Sequence, residues 1–186
     1  MKARVSMVIA NAFALALVAP VAALGAKTHT VVVGCKGGSG SQSAKTAHYH
    51  YVLRVGAGEQ MYTPAQVKKM HPKSGEVMLR GQMNGMSGMP GMSMGASTRH
   101  LEVQICTRQG NTVMTAANPR ITMKDKSSRG MAIKVPVAVM EGVGAGTADL
   151  HYGNNVTITP GHRFIVSVTV RGETARFRVT APKGRK

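Results

Sequence analysis

Phe164, Val166, Val168 and Val170 alternate with polar or smaller residues, and after Gly172-Glu173 the same beat returns in Ala175, Phe177 and Val179. Successive side chains of an extended strand point to opposite faces, so a period of two buries one face and wets the other. This alternation constrains the chain more than any other feature. It recurs in residues 100–108, where Leu101, Val103 and Ile105 point one way and His100, Glu102, Gln104 and Cys106 the other. Ile133, Val135, Val137 and Val139 alternate again, with Pro136 marking an edge strand. Aromatic and β-branched content makes strands of residues 48–55 and 76–80, and Val156 and Ile158 lead into the turn dipeptide Pro160-Gly161. Gly110-Asn111 signals a hairpin that returns through residues 112–116. Thr63-Pro64-Ala65-Gln66 carries the cap, first-turn proline and capping-box glutamine of a short helix, stopped at His71-Pro72. About seven or eight short strands with turn signals between them predict an all-β fold, two antiparallel sheets packed as an immunoglobulin-like sandwich, with a small barrel as the rival.

The ends of the chain set its compartment. Lys2 and Arg4 precede an apolar run over residues 5–24, broken by Ser6, Asn11 and Pro20 and closing on small residues. That is the layout of a secretory signal over residues 1–25. Residues 26–47, rich in Gly, Ser and Lys, then read as a flexible linker, and residues 48–182 as the sandwich domain. Two fates stay open for Cys35. Val32-Val33-Gly34-Cys35 has the order of a bacterial lipoprotein cleavage site, with Gly37, Gly38 and Ser39 opening a leash; alternatively, Cys35 pairs with Cys106 in an oxidising compartment. Both place the domain in the periplasm or cell envelope.

Charge narrows the partners. The chain carries a formal net charge of +17, falling to about +15 once Lys2 and Arg4 leave, and is drawn to anionic envelope surfaces. Nucleic acid is not expected, because aromatics are few and no RNA- or DNA-binding motif occurs. An enzyme is not expected either. Gly142, Gly144 and Gly146 are not followed by the Lys-Ser/Thr of a phosphate loop, no nucleophile elbow is present, and 7 acids leave little for paired-carboxylate catalysis.

Residues 81–97 read GQMNGMSGMPGMSMGAS. Met83, Met86, Met89, Met92 and Met94 stand there without one Leu, Ile, Val or aromatic residue. A core segment would mix aliphatics, since apolar burial does not select sulfur over a branched hydrocarbon. Glycines and Pro90 exclude a helical stripe. What methionine alone supplies is a neutral thioether, and soft sulfur donors select Cu(I). Histidine adds a second donor type. His48 and His50, two apart on one strand, would face one side about 7 Å apart, and His100 and Glu102 have the same relation. Imidazole, carboxylate and thioether together make a mixed site suited to copper, with iron or zinc as the other candidates.

The segment RHLEVQ at residues 99–104, followed by LHYGNNV at residues 150–156, resembles the periplasmic iron-transport family. The resemblance covers roughly residues 99–180. It implies a copper-binding immunoglobulin-like sandwich working beside an inner-membrane iron permease. Carried over residue by residue, it implies His100, Glu102 and His151 as metal ligands, with Met140 as the methionine, set farther from His151 than the family has it. A further family histidine has no counterpart in residues 164–170, and His162 sits in the turn before them. The function expected is an exported protein that sequesters or delivers copper or assists iron uptake. Its partners would be a metal permease, a second copy of the chain as a homodimer, or the anionic envelope. The alternative is a metal-independent adhesion or scaffold module, in which the loop methionines would be replaceable by leucine.

Overall fold

A computed structural model describes residues 34–35, 37–81 and 95–181; the expected leader, Met83, Met86, Met89, Met92 and Met94 lie outside the described residues. Eleven strands are present there: β1 (Gln42–Lys45), β2 (Tyr49–Ala57), β3 (Met61–Tyr62), β4 (Glu76–Arg80), β5 (Thr98–Thr107), β6 (Arg120–Asp125), β7 (Ile133–Val135), β8 (Ala138–Gly142), β9 (His151–Thr157), β10 (Arg163–Val170) and β11 (Glu173–Thr180). They form a seven-stranded sheet in the order β1-β2-β5-β9-β8-β4-β3 and a four-stranded sheet in the order β11-β10-β6-β7. Every pairing is antiparallel except that of β3 with β4. The protein is an all-β sandwich.

The alternation places the core. Tyr51, Leu53, Leu101, Val103, Ile105 and Tyr152 of the large sheet pack in one buried cluster with Ile121, Val166, Val168 and Phe177 of the small one. Each such side chain stabilises the fold by about 1.5–3 kcal/mol on burial. The remaining positions of β5, His100, Glu102, Gln104 and Cys106, therefore face outward from the large sheet.

The helix α1 (Pro64–Met70) forms as its capping box predicts. Gln66 N–H donates to the Thr63 hydroxyl, Thr63 N–H donates to the Gln66 side chain, and His71 ends the helix in the left-handed region before Pro72. Among the described residues no helix is long and apolar enough to cross a membrane.

Four local expectations are corrected. The linker over residues 26–47 contributes β1, which pairs with β2; an edge strand exposed along most of its length has no alternation to betray it. The strand expected over residues 133–139 is two strands in different sheets. Pro136, with no N–H to give a ladder, stands where the chain leaves β7 and crosses to β8. The hairpin return over residues 112–116 makes only the bridge from Val113 to Cys106. It is drawn off by Tyr152, whose hydroxyl donates to Met114 O and accepts from Ala117 N–H. Finally, β6 stands where no strand was read, its short apolar pair Ile121 and Met123 framed by charge.

Candidate metal centre

The site lies on the outward face of the large sheet and draws on three strands. His100 and Glu102 come from β5, His151 opens β9, and Glu76 opens β4. Each offers one ligating atom, and these four atoms lie within 4.8 Å of one another. Cross-strand register explains the convergence, because paired residues share a face. His100 pairs with Asn155 and Glu102 with Gly153; Met140 pairs with His151, and Glu76 with Gly142. Gly153 lets β9 approach β5 closely, since a β-carbon there would stand 1.8 Å from Leu101 O. At Gly142 a β-carbon would meet the Asp149 carboxylate at 2.7 Å, and the Gly142 N–H donates to that same carboxylate.

Both histidines are held in one tautomer. His151 Nδ1–H donates to Asp149 O at 2.7 Å, and a carbonyl can only accept. His100 Nδ1 faces Asn155 Oδ1 at 3.1 Å. The orientation of that amide is fixed, because Asn155 Nδ2 donates to Glu59 O and Asn155 Oδ1 accepts from Glu59 N–H. His100 Nδ1 is therefore the protonated nitrogen. In the neutral rings both Nε2 atoms carry lone pairs, and these nitrogens face each other at 3.4 Å. Two lone pairs at that distance repel unless a cation lies between them. Nitrogens bonded to one tetrahedral ion at about 2.0–2.1 Å stand about 3.3–3.4 Å apart, so the separation fits.

The two carboxylates differ in their surroundings. His100 and His151 are each 1 % exposed and Glu76 3 %. Glu76 Oε2 is buried without a hydrogen bond, 3.4 Å from His151 Nε2. Burial, then repulsion from Glu59 and Asp149, pushes Glu76 up to about 8, so the metal-free carboxyl holds a proton at neutral pH. Burial also raises Glu102, partly offset by His151 and by Arg54, whose guanidinium donates to Glu102 at 3.3 Å. Burial, and secondarily His151, lowers His100 to about 4, leaving its lone pair available at neutral pH. A pocket of about 350 Å³ lined by Ser39, Ser41, Arg54, Glu102, Gln104 and Asp149 opens this edge of the cluster to solvent.

The other expected residues divide. Met140 is fully buried on the face of the site, packed with Met61, Ala138 and Met78. His48 and His50 do not join the cluster. His48 precedes β2 and is bound to the Glu173 carboxylate, while His50 contacts the Asn111 side chain. His50 pairs with Cys106, four residues along β5 from Glu102 and so roughly 13 Å away. His162 is paired with Asp125 at 2.7 Å. Cys35 and Cys106 form a disulfide, the second of the two fates left open above. Met83, Met86, Met89, Met92 and Met94 fall outside the described residues.

Glu76 is the ligand candidate that sequence reading missed. Its one local signal was an acid opposite Val77 at the start of a strand, in a chain with only 7 acids. No protein-family model, curated protein or solved structure matches the chain.

Proposed function

We propose that this is an exported metal-binding protein of the cell envelope, which holds copper and sequesters or delivers it, or assists iron uptake beside a membrane permease. The reading is carried by one observation: two buried imidazoles whose Nδ1–H groups are already committed turn their Nε2 atoms on each other at 3.4 Å. His100, His151, Glu102 and Glu76 would hold the ion. Histidine and carboxylate donors suit Cu(II), Zn(II) and Fe(II) alike. The choice of copper is supported by Met140 beside His151 and by the aliphatic-free methionine run, which add soft donors for Cu(I). Export is supported by the leader-like N-terminus and by the disulfide, a bond that persists in oxidising compartments. The resemblance to the periplasmic iron-transport family points to the same His100, Glu102, Met140 and His151.

The chain's own residues divide the work of binding. Asp149 O and Asn155 Oδ1 orient the rings before an ion arrives, as outer partners of metal ligands do. Arg54 holds Glu102 at the solvent edge, and binding replaces that partner with the ion. Glu76 releases its proton on binding. Titration of the purified protein with Cu(I), Cu(II), Zn(II) and Fe(II) against competing chelators tests the proposal. Retention of copper by the protein, lost in H100A/H151A, is expected. Equal binding by the protein and that variant would overturn it.

A further inference from the structure

The outward face of the small sheet is the chemical opposite of the metal centre. Register puts Arg176 and Arg178 of β11, Arg163 of β10, Arg120 and Lys124 of β6 and Lys134 of β7 on that face. All six are exposed, and among the described residues none makes an ion pair. Between them stand Thr122, Ser167, Thr169 and Thr174, and no outward position of these four strands is Asp or Glu. Asp125 points to the other face and is taken by His162. Four of the chain's 7 acids, Glu59, Glu76, Glu102 and Asp149, are gathered around the metal centre instead. At one end of the cationic face a pocket of about 430 Å³ is lined by Lys126, Arg163, Ile165 and Arg178.

We infer that this face docks the protein on the surface of an anionic phospholipid membrane. The cations spread in two dimensions across four strands, matching a plane of headgroup phosphates and not a single polymer strand. Hydroxyls between them can donate to phosphate oxygens. No aromatic side chain points outward from these strands, so nothing on the face offers the stacking platform that single-stranded nucleic acid uses. Docked this way, the large sheet's outward face, with the metal centre, is turned away from the lipid.

The test is co-sedimentation of the purified protein with vesicles of phosphatidylcholine alone or with a third phosphatidylglycerol. Two triple variants are compared: K124Q/R176Q/R178Q on the face, and K68Q/K69Q/K73Q on and after α1. Both keep the same N-terminal segment, so any partitioning by that segment cancels. Near the bilayer each Lys or Arg is worth about fivefold in affinity, so the face variant should lose about a hundredfold on anionic vesicles. The control should lose far less, and binding should disappear at high salt. Unchanged thermal melting shows that the variants are folded. Equal losses in the two variants, or equal binding to neutral vesicles, would overturn the inference. So would a soluble nucleic acid that binds this face more tightly than vesicles at the same salt.

Discussion

Two pairs of histidines, His48 with His50 and His100 with His151, look alike as donors and end in different states. The first pair lies at the exposed start of β2, and each ring has its own polar partner, Glu173 or Asn111. The second is buried, comes from adjacent strands, and has each Nδ1 committed so that only Nε2 is left to face the partner. Spacing along one strand therefore does not make a site. Convergence of strands does, together with outer hydrogen bonds that leave the lone pairs nowhere else to go.

The largest effect should come from removing the convergent rings. H100A/H151A is expected to abolish copper binding in a chelator competition, while H48A/H50A retains it; the reverse result would break the comparison. Next is the outer bond. Asn155→Leu leaves every ligand in place but releases His100 Nδ1, and affinity should fall about 10–100-fold, as for other outer-shell partners. Third is a pH effect in the metal-free protein. Glu76 sits at about 8 when folded against 4.5 in the open chain, so its stabilising proton is fully held below about 4.5 and lost as pH rises to 8. His100, lowered to about 4, acts oppositely, adding stability as pH rises from 4 to 6.5. Between about pH 6.5 and 8 the raised Glu76 still loses its proton, so melting temperature should fall there and fall less in E76Q. A level profile in both proteins would remove the case for a protonated Glu76.

The smallest effect belongs to the exposed pair. The nearby Thr46 hydroxyl and then the bonds from His48 hold Glu173 down to about 2, so its contribution to stability is present above about 4.5 and fades as pH falls to 2. E173Q should show only a small loss in a melt at pH 7, because the pair is solvent-screened, and should converge with the parent as pH falls to 2. A large loss at neutral pH would mean that the exposed histidine carries more of the fold than its surroundings imply.

The two-layer fold was legible because alternation is a local signal, readable within each strand. His100 and Glu102 were legible for the same reason, lying opposite Leu101 and Val103. His151 came from the resemblance, and Glu76 from neither source, since nothing near it in the chain records that β4 reaches the site through β8. β1 was hidden because a mostly exposed edge strand needs no apolar face. Pro136 was read as the mark of an edge strand, and it does follow β7, the edge of the small sheet. The crossing to β8 stayed hidden because a residue without an N–H serves equally well at either.

The clamp on Asn155 has one further consequence. It is made by the backbone N–H and C=O of residue 59, and not by the glutamate side chain. Position 59 can thus change identity over generations without altering which nitrogen of His100 carries hydrogen. Proline alone is barred, having no hydrogen to give.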